Sequence, residues 1–137
     1  MEVSRILIDT SAYAAHLSNH PEIKEELQRA SEVFVSVVVL GELRAGFLKG
    51  SKRARNESIL REFLSSPRVR TLDVDEGTSE WYAAIHDHLR REGTPIPAND
   101  LWIAASTAQH GLKLVTTDEH FKQVPHVLVA YFEPLGP

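Results

Sequence analysis

The sequence predicts an α/β fold with three layers, in which helices cover both faces of a central parallel sheet of four to five strands. Two patterns lead to this prediction: short runs rich in β-branched residues recur along the chain, and stretches with helical spacing lie between them. Strands that alternate with helices in this way form parallel sheets. With 137 residues, of which 42% are hydrophobic and 25% charged, the chain is expected to be a single domain over residues 1–137.

The first half of the chain predicts two strands and two helices. Residues 3–8 form an apolar β-branched run without helical spacing, which indicates a buried strand. Residues 21–29 have helical spacing and begin with a proline, which fits the first turn of a helix. Residues 33–37 repeat the strand pattern, and residues 51–64 predict a second helix.

The second half continues the alternation. Residues 69–74 predict a third strand, and the helices predicted at 76–91 and 100–110 each end close to a glycine, which is a common helix terminator. Residues 112–115 predict a fourth strand and residues 127–131 a fifth. The predicted elements therefore give the sheet its four to five strands.

The charge of the chain is unevenly distributed. The net charge is -4, which is unusual for a protein that binds nucleic acid through its overall charge. Between Arg44 and Arg70, however, eight basic residues stand against two acidic ones, so this segment carries 8 - 2 = +6. Such a segment is either a phosphate-binding surface or a solvated helix face.

The composition also limits the compartment and the chemistry. The chain has no Cys, which excludes disulfides, a thiol nucleophile and a thiolate zinc site, and is compatible with a reducing cytoplasm. Its first residues do not match a secretory signal, and no apolar run approaches the roughly 18 residues needed to span a bilayer. We therefore expect a cytoplasmic protein without a membrane partner.

Four carboxylates at or near the ends of apolar segments are the candidate site: Asp9, Glu42, Asp100 and Asp118. Ligands of α/β proteins bind beyond the carboxyl ends of parallel strands, so acids at those ends can meet in space. Converging carboxylates repel one another, and oxygen ligands favour hard ions such as Mg²⁺ or Mn²⁺. Such ions support phosphodiester hydrolysis.

Each acid also has a simpler explanation. Asp9, Asp100 and Asp118 each precede a predicted helix, and Asp is a favoured N-cap. Glu42 could instead pair with Arg44 or occupy a surface position on a helix. The conjunction of the four acids favours the metal site.

Four segments resemble the motifs of PIN-domain ribonucleases, and most closely those of VapC toxins. They are Ile8-Asp9-Thr10-Ser11, Gly41-Glu42-Leu43, Asn99-Asp100-Leu101-Trp102-Ile103-Ala104-Ala105 and Thr116-Thr117-Asp118-Glu119-His120-Phe121. The resemblance covers nearly the whole chain. It implies an endoribonuclease that depends on Mg²⁺ or Mn²⁺ bound by the four acids.

The same resemblance implies roles for nearby hydroxyl residues. Thr116 matches the family's hydroxyl residue two positions before the last acid, and Thr10 and Ser11 match the small hydroxyl positions after the first. Hydrogen bonds from such residues orient ligands or water. Thr117 departs from the pattern, because many relatives have Asn there; we expect this to affect local geometry more than metal binding.

The resemblance further implies a toxin that cuts transfer RNA or ribosomal RNA, forms a homodimer and is inhibited by a cognate antitoxin. Arg44 is the basic residue expected nearest the site. The expected contacts to RNA backbone or antitoxin are Arg44, Lys49, Lys52, Arg53 and Arg55.

Two alternatives stay open. One is a non-catalytic PIN-like module that binds RNA or protein. The other is a phosphotransfer enzyme with Asp9 as its nucleophile, which is weakened because no second Asp follows two residues later.

Overall fold

Five short strands form one sheet. The structure is a computed structural model that describes residues 4–136. The strands are β1 (Arg5–Ile8), β2 (Glu32–Ser36), β3 (Val69–Leu72), β4 (Lys113–Thr116) and β5 (Leu128–Tyr131). Their order in the sheet is β3-β2-β1-β4-β5, and every neighbouring pair is parallel. The predicted three-layer α/β/α architecture with four to five parallel strands is confirmed, with all five strands present.

Six α-helices and one 3-10 helix accompany the sheet within the described residues. They are α1 (Thr10–Leu17), α2 (Pro21–Arg29), α3 (Val37–Lys49), α4 (Arg53–Leu64), α5 (Glu76–Glu92), α6 (Ala98–Gln109) and the 3-10 helix (Glu119–Gln123). Four of the α-helices lie where the sequence predicted helices, with ends that differ by at most two residues. Val3, which the sequence places in the first strand, lies outside the described residues.

The two central strands carry the deepest part of the core. Ile6, Leu7 and Ile8 of β1 are fully buried, as are Leu114 and Val115 of β4. Because Ile8 is paired with Val115, the two strands end side by side. The residues that follow them therefore meet at one edge of the sheet, as expected for parallel strands.

The segment after β2 departs from the sequence prediction. The predicted strand continued to Val37, and no helix was predicted between that strand and residue 51, whereas β2 ends at Ser36 and α3 begins directly after it. The Ser36 hydroxyl accepts a hydrogen bond from the Val38 N–H at 3.0 Å, which caps the helix. Val39, Leu40 and Leu43 are buried, a spacing that places one helix face against the core.

No helix within residues 4–136 combines the length and the apolar composition needed to cross a bilayer.

Candidate active site

Asp9 directly follows the central strand β1 and caps the helix after it. Its Oδ1 accepts a hydrogen bond of 2.8 Å from the Ala12 N–H, and the Ser11 hydroxyl donates to the same oxygen at 2.8 Å. The Thr116 hydroxyl donates to Asp9 Oδ2 at 2.6 Å. Ser11 also lies 3.0 Å from Oδ2, so three donors surround the carboxylate of Asp9. Asp9 is only 3% exposed.

The two hydroxyls around Asp9 also hold the end of β4. Thr116 Oγ1 accepts a hydrogen bond from the Asp118 N–H at 2.9 Å, and Ser11 Oγ accepts one from the Thr117 N–H at 3.0 Å. Ser11 and Thr116 therefore connect the first acid to the backbone that carries the fourth. Thr117 takes part through its backbone, so its side chain is not needed for this connection.

Glu42 projects from α3 and is held by two side chains from other parts of the chain. The Thr10 hydroxyl donates to Glu42 Oε1 at 2.6 Å, and Asn99 Nδ2 donates to Oε2 at 3.3 Å. The proposed salt bridge from Glu42 to Arg44 is wrong. Arg44 instead donates two hydrogen bonds of 3.0 Å to Glu57 on α4.

Asp100 and Asp118 meet around the ring of His120. His120 Nδ1 lies 3.2 Å from Asp100 Oδ2 and 3.2 Å from Asp118 Oδ1. One ligand atom from each of these three residues lies within 4.8 Å of the other two. Asp118 also accepts a hydrogen bond from the His120 N–H at 2.9 Å.

The electrostatics of the acids indicate that they share one region. Burial raises the pKa of Asp9 from its ordinary value of 3.8 to about 6, against the hydrogen bonds that favour its charged form, and the charge of Asp118 adds to the rise. Burial also raises the pKa of Asp100, with further contributions from the charges of Asp118 and Glu42. Each of the four acids therefore acts on, or is acted on by, at least one of the others.

This arrangement fits a divalent cation. The carboxylates come from four separate segments, their charges oppose one another, and the raised pKa of Asp9 reports a buried acid without a positive partner. A cation would stabilise the ionised carboxylates. The residues present, carboxylate oxygens with one imidazole, are ligands used for divalent metals in proteins.

The N-cap explanation holds for two acids and fails for the third. Asp9 caps α1 and Asp118 caps the 3-10 helix, each through a side-chain oxygen. Asp100 is not a cap, because Pro97 holds that position and Asp100 lies in the first turn of α6. N-capping is compatible with metal binding here, because it holds the carboxylates of Asp9 and Asp118 at the edge of the sheet.

Of the basic residues predicted to contact RNA, Lys49 lies beside this site. Lys49 ends α3 and lines a groove of about 570 Å³ together with Glu42 and Asn99. Among the described residues, the side chains that form no salt bridge include Lys49, Lys52, Arg53 and Arg55. Arg44 differs from them because its guanidinium is engaged by Glu57.

Sequence reasoning missed Asn99 and His120 as contacts of the acids. Both lie inside the motifs quoted above: Asn99 is next to Asp100, and His120 is two residues after Asp118. This proximity in sequence could have indicated that they contact the acids. Their partners come from other elements: Asn99 reaches α3, and His120 reaches α6. Such pairings cannot be read from spacing within one segment.

The chain matches a known protein family and known proteins over most of its length. The family model described as "PIN domain" matches residues 6–127. Ribonuclease VapC4 of Mycobacterium tuberculosis is 34% identical over 129 residues, which cover 94% of this chain and 98% of that protein. The tRNA(fMet)-specific endonuclease VapC of Salmonella typhimurium is 29% identical and covers 91% of this chain and 96% of its own length.

A solved structure has the same fold. It is VapBC-5 of Mycobacterium tuberculosis, described as a member of the VapBC family of toxin-antitoxin systems. Its matched chain superposes with a TM-score of 0.76 and 30% identity, and the match covers 94% of this chain and 99% of that one.

Proposed function

The chain belongs to the PIN-domain family and to its VapC ribonucleases, and from that premise we propose that it is an endoribonuclease acting as the toxin of a toxin-antitoxin pair. It hydrolyses phosphodiester bonds of RNA at the carboxylate site. The ion that this site takes is Mg²⁺ or Mn²⁺, because carboxylate oxygens such as those of Asp100 and Asp118 favour hard cations.

One observation carries the proposal: Asp9, Glu42, Asp100 and Asp118 come from four segments and lie on one connected set of contacts at the edge of the sheet. Thr116 joins Asp9 to the backbone of Asp118, and His120 joins Asp118 to Asp100. The negative charge of Glu42 contributes to the raised pKa of Asp100. Structural N-caps alone would not require this convergence.

The residues of the site have separate roles in this proposal. The four acids hold the cation, Ser11 and Thr116 fix the carboxylate of Asp9, and Thr10 and Asn99 fix that of Glu42. A divalent ion, when bound, supplies the positive charge that activates a water and offsets charge on the phosphate in the transition state. The oriented side chains keep this positioning fixed before RNA arrives.

The phosphotransfer alternative loses support. Asp9 is almost fully buried, and both of its oxygens accept hydrogen bonds. A nucleophile needs an oxygen that reaches a phosphorus atom from outside. Its buried position makes Asp9 better suited to binding a cation than to attacking a phosphorus atom.

The substrate and partners are part of the proposal. The Salmonella typhimurium relative is a tRNA(fMet)-specific endonuclease, which supports transfer RNA as the first substrate to test. The proposed contacts to the RNA backbone or to the antitoxin are Arg44, Lys49, Lys52, Arg53 and Arg55. The guanidinium of Arg44 also pairs with Glu57. We place the protein in the cytoplasm as a homodimer that a cognate antitoxin inhibits.

The test is cleavage of a total transfer RNA pool by purified, antitoxin-free protein with Mg²⁺ or Mn²⁺. We expect discrete cuts that disappear with EDTA and in Asp100→Asn. The matched control is Asp73→Asn, which removes an exposed carboxylate that is not one of the four acids and should cut like the native chain.

Three results would count against the proposal. Cutting that survives both EDTA and Asp100→Asn would show a contaminating nuclease. Loss of cutting in Asp73→Asn would show that any carboxylate change disables the protein. Intact transfer RNA and ribosomal RNA, with folded and metal-loaded protein, would favour the non-catalytic binding module.

A further inference from the structure

His120 contacts the carboxylate groups of two of the site's acids at once. Its Nδ1 lies 3.2 Å from an oxygen of Asp100 and 3.2 Å from an oxygen of Asp118. The side chain is 53% exposed, whereas Asp100 and Asp118 are 15% and 32% exposed. The ring therefore lies over the open side of the acid pair.

The position of His120 is fixed from two directions. Its own backbone N–H donates to Asp118 Oδ1, so the first turn of the 3-10 helix orients the residue. The next residue, Phe121, is fully buried and anchors that helix in the core. The imidazole is thus delivered to the acids by a rigid element rather than by a loose loop.

The distances match the donor spacing of a metal ion. In an octahedral site with ligand distances of about 2.1 Å, neighbouring donor atoms lie about 3 Å apart. Both separations from Nδ1 to the carboxylate oxygens are close to this value. As a ligand the ring would carry its proton on Nε2, and the exposure of the side chain lets water accept that proton's hydrogen bond.

We propose that His120 is a nitrogen ligand of the cation held by Asp100 and Asp118, and that it shifts the preference of this site from Mg²⁺ toward transition-metal ions such as Mn²⁺. This inference rests on the proposed metal-dependent function and deepens it. Mg²⁺ strongly favours oxygen donors, whereas imidazole is a good ligand for first-row transition metals. One nitrogen ligand among oxygen ligands therefore favours Mn²⁺ over Mg²⁺ at this site.

The test measures metal binding without RNA. Metal-free protein is titrated with Mn²⁺ and with Mg²⁺ by calorimetry, and pulsed EPR of the Mn²⁺-loaded protein detects a coordinated ¹⁴N nucleus. We expect a nitrogen coupling in the native protein that His120→Ala abolishes. The same variant should lose roughly tenfold or more in Mn²⁺ affinity and less in Mg²⁺ affinity.

Two further variants sharpen the result. His120→Asn offers an amide oxygen near the position of Nδ1, so it should keep Mg²⁺ binding while losing the nitrogen coupling and the preference for Mn²⁺. His86→Ala removes an exposed histidine on α5 and should change neither affinity nor the spectrum.

The outcomes separate this inference from the proposed function. If Asp100→Asn abolishes Mn²⁺ binding but the native protein shows no nitrogen coupling, or His120→Ala binds both ions as the native chain does, the carboxylate site stands and the role of His120 is overturned. If the native, folded protein binds neither ion, the proposed metal-dependent function fails, and the inference fails with it.

Discussion

The hydroxyl of Thr116 donates a hydrogen bond of 2.6 Å to Asp9 Oδ2, so the last residue of β4 holds the acid that follows β1. The Thr116 hydroxyl oxygen in turn accepts a hydrogen bond of 2.9 Å from the Asp118 N–H. Thr116 is fully buried. One hydroxyl therefore sets the relative position of the first and fourth acids, and several predictions depend on connections of this kind.

Thr116→Val keeps the shape of the side chain and removes the hydroxyl. We expect the free energy of unfolding to fall by about 1–3 kcal/mol, because the buried Asp118 N–H and Asp9 carboxylate lose a partner. RNA cleavage should fall as well, while Thr116→Ser should retain most of both. Urea denaturation and cleavage rates measure these effects. A valine variant that cuts at the native rate would show that the hydroxyl does not position the acids.

Asp9 gives the metal-free protein a pH dependence. Its pKa is about 6 in the folded state and near 3.8 when unfolded, so the folded state binds more protons between these values. The stability contributed by the protonated form is present below about pH 4 and is lost as the pH rises through 6. The loss by about pH 8 amounts to about 3 kcal/mol.

The measurement is the free energy of unfolding in EDTA across this pH range. Asp9→Asn should lack the Asp9 component and should gain stability relative to the native chain as the pH rises. Asp73→Asn, which removes an exposed acid, should keep the native profile. Parallel profiles for the native chain and Asp9→Asn would contradict the assignment.

Thr10 controls the orientation of Glu42. Thr10→Val removes the 2.6 Å hydrogen bond and leaves Glu42 with the longer contact from Asn99. We expect the cleavage rate to fall by roughly 10- to 100-fold, as for other residues that orient metal ligands. Thr10→Ser should rescue it. Single-turnover kinetics at saturating metal make the measurement, and equal rates for the valine and serine variants would argue against the orienting role.

The basic residues at the junction of α3 and α4 should act through phosphate contacts. In an Asp100→Asn background, which allows RNA binding without cleavage, replacing Lys49, Lys52 and Arg53 by Gln should weaken binding to all sequences alike. Each lost phosphate contact should reduce the slope of log affinity against log salt by about 0.7 for single-stranded RNA.

The control for this experiment uses cations of another helix. Arg90 and Arg91 of α5 both pair with Asp87, so Gln at these positions should leave the salt slope unchanged. An equal change in both sets of variants would indicate a general effect of net charge rather than a contact surface.

The sequence predicted the architecture correctly because it follows from local patterns, and the same patterns led to the prediction that the four acids form one metal site. Strand and helix periodicity alternates clearly, and the ends of parallel strands share one edge. The error at α3 has a physical cause: three consecutive valines favour a strand, but the Ser36 cap and the inward spacing of Val39 and Leu43 favour a helix. Tertiary packing decided between them.

The contacts within the site were harder to predict for a different reason. That Glu42 pairs with Thr10 and Asn99, rather than with Arg44 two residues away, depends on how α1, α3 and α6 approach one another. Nothing in the neighbouring sequence encodes that approach. The same holds for His120 and its contact with Asp100 on α6.

The pairing of β1 with β4 joins residues that are far apart in the chain: Asp9 and Thr116 are separated by 107 positions. Contacts of such long range slow folding, because forming them requires the entropically unfavourable closure of the intervening chain. During translation, Asp9 is synthesised well before β4. A product that terminates before β4 would carry three of the acids without the frame that holds them, so nuclease activity begins only when most of the protein has been synthesised.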